Sequence, residues 1–179
     1  ELDSTYLRVV TNSSPAQLGR REPKESASSA ASPAPDPAET IDQDLSACLQ
    51  MVRSIANTKG SAEAEKTLKN VITSYPLSTE ALYLQAMLMI DLNQPKSAIK
   101  ALRHVLYLDR SLAEAHYTLG IVLKQVGDID QAKKSFQSAL QSSSDHKPDE
   151  PVPLGDGDTY GRLARSCQNE LSALANLRS

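Results

Sequence analysis

The sequence predicts an all-α fold, a helical-repeat superhelix of three helix-turn-helix repeats closed by a C-terminal capping helix. Three observations predict it. Residues 113–146 place large, small and apolar residues at the steps that two antiparallel helices need. The same kinds of residue return one and two periods earlier. With a single Phe and no Trp, the core has to be built from Leu, Ala, Ile, Val and Met. That composition suits a stack in which each helix pair buries its apolar face only against its neighbours.

The third copy is the clearest. His116, Leu119, Gly120, Leu123, Ala132, Phe136 and Ala139 hold the packing places, and Gly127-Asp128 supplies the turn. Gly120 and Ala132 allow the two backbones to approach, and Phe136 fills the space between this pair and the next. One period earlier, over about residues 79–112, the equivalent places hold Leu82, Ala86, Met89, Ala98, Leu102 and Val105, with Gln85 at a usually apolar place. Another period back, over about residues 45–78, they hold Cys48, Met51, Val52, Ile55, Ala64, Leu68 and Val71, with a closing Pro76. Val52, at a place that favours a small residue, makes this first copy the weakest. The pattern resembles the tetratricopeptide repeat, a 34-residue helix pair with small and bulky residues at fixed positions.

Taken in order, residues 1–38 are expected to be a disordered, Pro/Ala/Ser-rich extension. Tyr6 to Val10 is a short β-prone run within it. Glu22 to Ala38 is a linker too poor in large apolar residues to offset its ordering entropy. The repeat domain takes residues 39–179. A helix begins near Glu39 with Ile41, Leu45, Cys48, Leu49, Val52 and Ile55 on its apolar side and stops around Lys59-Gly60; Ser61 is then expected to cap a second helix ending at Tyr75-Pro76. The second pair spans about 78–92 and 95–108, with Pro95 as a first helical residue. The third spans about 112–126 and 129–141. A loop with three prolines and two glycines, 142–157, leads to a helix over about 159–177. Its Tyr160, Leu163, Cys167, Leu171 and Leu174 are spaced to cover the open end of the stack.

Composition narrows the function. A formal net charge of -3 and a pI near 5.6 argue against a general nucleic-acid partner, which needs a basic surface. No apolar run is long enough to span or insert directly into a bilayer. Cys48 and Cys167 read as reduced core thiols of a cytoplasmic protein rather than a disulfide. His104, His116 and His146 have no metal-ligand spacing, and His116 occupies a packing place of its repeat. Gly155-Asp156-Gly157 is too short to cradle a phosphate and follows no strand. Asp128 and Asp130 sit at an inter-helix turn and serve the following helix N-terminus. Lys96, Lys100, Arg103, Lys133 and Lys134 form a solvated convex face. The expectation is therefore no catalytic residue, no cofactor and no metal.

A binding face is the better-supported reading. Repeats of this type line a concave groove with the first helix of each pair. The inward places hold Leu49, Arg53, Ala56 and Asn57, then Glu80, Tyr83, Met87, Ile90 and Asp91, then Glu114, Tyr117, Ile121, Lys124 and Gln125. An apolar, aromatic centre ringed by charges suits a helix or an extended peptide. Equally open is that the C-terminal helix or its loop folds back over this face, which makes Tyr83 and Tyr117 core. Leu49 and Arg53 stand where chaperone-tail-binding repeats carry a carboxylate-clamping lysine and asparagine, so that specificity does not transfer.

ALRHVLYLDRSLAEAHYTLG and the tail DGDTYGRL with its trailing helix carry a second likeness. Over about Thr40 to Leu177 the chain is similar to the C-terminal repeat region of chemoreceptor glutamate methyltransferases of the CheR type. That resemblance implies a noncatalytic domain in chemotaxis-type signal transduction, regulating or targeting an S-adenosylmethionine-dependent methyltransferase domain upstream. It implies as partner that methyltransferase domain, a chemoreceptor or a response regulator. A free-standing assembly adaptor, of the pilus or secretion type, is the alternative.

Overall fold

The computed structural model describes residues 37–155 and 157–176, with the backbone alone for 37–42. The linker residues up to 36, the Tyr6–Val10 run, Asp156 and Leu177 therefore lie outside the described residues. Among those described, seven helices follow one another: α1 (Pro37–Lys59), α2 (Ser61–Ser74), α3 (Thr79–Asp91), α4 (Pro95–Leu108), α5 (Ala113–Gln125), α6 (Ile129–Ser144) and α7 (Tyr160–Asn176). Each helix packs on the next in sequence, and α7 also touches α5. This nearest-neighbour contact pattern is that of stacked helix pairs.

The turns inside the pairs are set by residues in the left-handed region. Asn93 has φ 55 and Gly127 φ 84, 34 places apart in the chain. In both turns a backbone bond spans five residues, Gln94 N–H to the Met89 carbonyl (2.8 Å) and Asp128 N–H to the Leu123 carbonyl (2.9 Å). These bonds satisfy carbonyls that the helix ends would otherwise orphan. Asn tolerates this conformation because its short side chain bonds locally, and Gly because it has no Cβ. Asp128 then caps α6, its side chain accepting from Gln131 N–H, and Ser78 caps α3 by accepting from Ala81 N–H.

The first pair departs from this scheme. Only Gly60 separates α1 from α2, with φ 94 and ψ 163. The chain reverses there in one residue, so α2 begins at Ser61 and Ser61 is not its cap. The Ser61 hydroxyl instead donates to Asp91 Oδ2 of α3 (3.2 Å). α1 also starts at Pro37, inside the expected linker; Pro at a helix start leaves no donor unpaired.

Three apolar clusters run along the stack. Leu49, Val52, Ala64, Leu68, Val71, Ala81 and Leu88 join α1, α2 and α3. Leu82, Ala86, Ala98, Leu102, Val105, Leu119, Val122, Ala132 and Phe136 form the centre, which Leu174 of α7 also enters. Ala113, Ala139, Val152, Tyr160, Leu163 and Cys167 tie the last pair to α7 and the loop before it. Ala64, Ala98 and Ala132, the shared small position of the three copies, are all fully buried. Lys96, Lys100, Arg103, Lys133 and Lys134 are exposed.

Candidate peptide-binding cleft

Side chains of α1, α3 and α5 share an inner face, and the loop between α6 and α7 crosses it. That loop is internally bonded. Val152 N–H donates to the Asp158 carbonyl (2.9 Å), Tyr160 N–H to that of Glu150 (3.0 Å) and Gly161 N–H to that of Pro148 (2.8 Å). His146 stacks flat on Tyr160 with ring centroids 3.9 Å apart, and its Nδ1 lies 3.0 Å from Glu150 Oε1. The His146 contact holds the exposed Glu150 carboxyl below its usual range. From this base the loop directs Val152 into the α7 cluster and Leu154 onto the inner face.

Leu154 divides the face into two clefts. The first, about 360 Å³, is lined by Arg53, Ala56 and Asn57 of α1, by Tyr83, Leu84, Met87, Leu88 and Asp91 of α3, and by Leu154. It is apolar at its floor and charged at its rim, and Met87 remains 37% exposed. Arg53 is fixed by Glu80, Nη2 to Oε1 at 3.0 Å. The second, about 230 Å³, is lined by Tyr83, Met87, Glu114, Tyr117, Thr118, Val152, Leu154, Gly155, Asp158 and Leu163. On its wall the Tyr83 and Thr118 hydroxyls are hydrogen-bonded at 3.1 Å.

Of the expected groove residues, the structure brings Arg53, Tyr83 and Met87 together in one cleft, with Ala56, Asn57 and Asp91. Glu114 and Tyr117 join Tyr83 and Met87 in the other. Leu49 is a correction: it is 0% exposed. It stands where Tyr83 and Tyr117 stand in later copies, but an aliphatic side chain ends inside the α1–α3 cluster, whereas a tyrosine carries a polar tip to the surface. Glu80 is the partner of Arg53, and Ile90 and Ile121 pack on the central core. Lys124 is turned to α7, Nζ to Glu170 Oε2 at 2.6 Å.

Glu114 is a second correction to an open groove. It is only 4% exposed because the loop lies over it. Its Oε1 accepts the Leu154 N–H at 3.0 Å, while Oε2 is buried with no hydrogen-bond partner. The Tyr160 phenol is pushed up by burial first and then by the charges of Glu114, Glu150 and Asp109. Tyr117 is likewise raised, by burial before the Glu170 charge, and its ring meets Phe136 at a tilted 5.7 Å. Among the described residues, the α5 end of the inner face is thus covered by the loop, and the α1–α3 end meets it only at Leu154.

Sequence reasoning missed Leu154, Val152 and Asp158 as cleft residues. Their signal was present as an apolar pair, Val152 and Leu154, in an otherwise polar loop. Elsewhere, His116 Nε2 donates to the Arg110 carbonyl (3.1 Å), and burial lowers the pKa of its ring. Cys48 and Cys167 are both free thiols. Among the described residues no cluster of His, Cys, Asp or Glu could hold a metal ion, and no helix is long and apolar enough to cross a membrane.

Comparison with known proteins agrees with this architecture. A tetratricopeptide-repeat family model matches residues 79–112 and 113–146. Over 93 residues the chain is 31% identical to the human protein O-mannosyl-transferase TMTC3, covering 51% of this chain and 10% of that protein. The chain therefore spans about a tenth of that curated relative. Among solved structures, the Yersinia enterocolitica type III secretion chaperone SycD, in complex with a peptide of the translocator YopD, superposes with a TM-score of 0.65 at 13% identity, covering 79% of this chain and 96% of that one. PcrH in complex with the chaperone-binding region of PopD gives 0.63 at 14% identity with the same coverages. The first repeat domain of Spaghetti (RPAP3), bound to an HSP90 peptide, gives 0.61 at 15% identity, covering 76% and 95%. Residues 79–146 are tetratricopeptide repeats, set in an all-α helical-repeat fold.

Proposed function

We propose that this chain is a noncatalytic protein-interaction domain that holds an extended segment of a partner protein in the cleft between α1, α3 and Leu154. The observation that carries the reading is the lining of that cleft. Leu84, Met87 and Leu88 make an apolar floor under a polar rim of Arg53, Asn57 and Asp91. An apolar anchor buried there is stabilised by the area it removes from water, and the rim orders the backbone around it. Solved structures of the same fold with bound peptides support the reading. A tail carboxylate is not the expected ligand, because Leu49 is buried and Arg53 is already paired with Glu80.

The partner of finer definition is a cytoplasmic chemoreceptor-methyltransferase system, and the resemblance of the α4–α5 segment and of the loop entering α7 supports it. The secretion-type adaptor is the second reading, favoured by the likeness to SycD and PcrH. The test is calorimetric titration of the chain against a CheR-type methyltransferase domain, chemoreceptor tails, response regulators and translocator-type peptides. Saturable binding to one class, abolished by Met87→Glu with helical content unchanged, is the expected result. Binding that Met87→Glu leaves intact would remove the cleft as the site.

A further inference from the structure

From the unpartnered carboxylate oxygen of Glu114 we infer that the second cleft accepts a lysine or arginine side chain of the bound peptide, beside the apolar anchor in the first. This deepens the peptide-binding reading and rests on it. A buried carboxylate is stable only when its oxygens are hydrogen-bonded or its charge is paired. Glu114 meets half of that condition: Oε1 takes the Leu154 N–H, and Oε2 takes nothing.

Among the described residues, the lining offers no cation to complete it. Among the residues around the second cleft none is basic, and the other acid, Asp158, is already paired with Arg162 (3.2 Å). On α5, His116 is engaged with the Arg110 carbonyl and Lys124 with Glu170. Tyr83, Met87 and Tyr117 provide an apolar passage for an aliphatic stem, and the Thr118 and Tyr83 hydroxyls lie along it. Oε2 is itself closed off beneath the loop, so a long basic side chain lying against this wall brings its charged head to the carboxylate as the loop segment carrying Leu154 shifts aside. The two clefts share Tyr83, Met87 and Leu154, so the basic residue belongs close in sequence to the anchor. The ligand is thus an extended peptide with neighbouring apolar and basic residues.

The test is selection of a phage-displayed random dodecamer library on the full 179-residue chain and on Glu114→Gln, which keeps the acceptor for Leu154 N–H. Selection of Lys or Arg near an apolar residue by the unaltered chain is expected, with that preference absent in the variant. For the best synthetic binder, Lys→norleucine should weaken binding at least tenfold to the unaltered chain and less than twofold to Glu114→Gln. The unaltered-chain comparison stands even if the variant folds poorly. Apolar binders with no basic preference would overturn the Glu114 assignment, while the peptide cleft survives. No enrichment of any sequence would overturn both. A peptide of residues 17–28, which carries Arg20, Arg21 and Lys24, is tested alongside. If it binds more tightly than every selected sequence, the site belongs to the chain's own N-terminal segment and the partner assignment falls.

Discussion

The Phe136 ring lies against the bare backbone of Gly120. A Cβ placed at Gly120 would stand 2.6 Å from Cε1 of that ring. Phe136 is fully buried and enclosed by the central cluster, so the ring cannot swing aside. Gly120→Ala gains roughly 1 kcal/mol of helix propensity, but overpacking costs about 1–3 kcal/mol. The variant should therefore be less stable in urea unfolding, and Phe136→Leu in the same background should recover part of the loss. A variant as stable as the parent would show that α5 and α6 can separate freely.

The two groove tyrosines should behave differently. Tyr117 packs on Phe136 and joins the cluster made with α7. Tyr117→Ala is expected to cost about 2–3 kcal/mol, somewhat below a fully buried aromatic. Tyr83→Ala should cost less and weaken peptide binding, because both clefts share its ring. Parallel thermal melts and peptide titrations check this, and equal stability losses at the two sites would contradict it.

Alkaline pH should weaken the fold through Cys167. Burial pushes its thiol up to about 11. Because the unfolded thiol ionises first, the contribution is complete below the unfolded pKa and is lost as pH rises toward the folded one. The raised phenols of Tyr117 and Tyr160 act in the same direction. Unfolding free energy should fall between about pH 8.5 and about pH 11, and Cys167→Ala should flatten that slope while lowering stability throughout. An unchanged slope in the variant would assign the alkaline loss to other groups.

The Lys124–Glu170 pair joins α5 to α7 at 2.6 Å, with both side chains partly exposed. A double-mutant cycle to alanine should return a coupling of about 0.2–1 kcal/mol, reduced by salt. A coupling near zero would mean that α7 is held by its apolar face, Tyr160, Leu163, Cys167, Leu171 and Leu174, without help from the ion pair.

Much of this architecture was legible because repeated packing leaves a repeated sequence. The alternation of Leu82, Ala86, Ala98 and Leu102 with Leu119, Gly120, Ala132 and Phe136 fixes which faces meet, whatever the loops do. Pro95 and Asp128 mark helix starts by their backbone chemistry. The junction at Gly60 was less legible, because Ser61 is a good cap residue and only the geometry shows that no cap is needed there. The groove was half legible. Repeat position identified Tyr83, Met87 and Arg53, but the covering of Glu114 depends on where the loop between α6 and α7, residues 145–159, comes to rest. No local periodicity encodes that placement. Leu49 shares the repeat position of Tyr83 and Tyr117, but its shorter side chain ends in the core.

The loop that brings Leu154 over the inner face keeps its own hydrogen bonds between 148 and 161, so raising it would break the Leu154–Glu114 bond and withdraw Val152 from its cluster but leave the loop's internal bonds intact. Its closed form then acts as a toll on every ligand whose footprint overlaps Leu154. The apparent dissociation constant equals the intrinsic one divided by the fraction of molecules with the loop raised. If one molecule in about a hundred is raised, such a ligand forfeits about 2.7 kcal/mol. A ligand that lies beside Leu154 in the first cleft without displacing it forfeits none of it. Partners that reach past Met87 are therefore sorted from those that stop there by a threshold written into the protein itself.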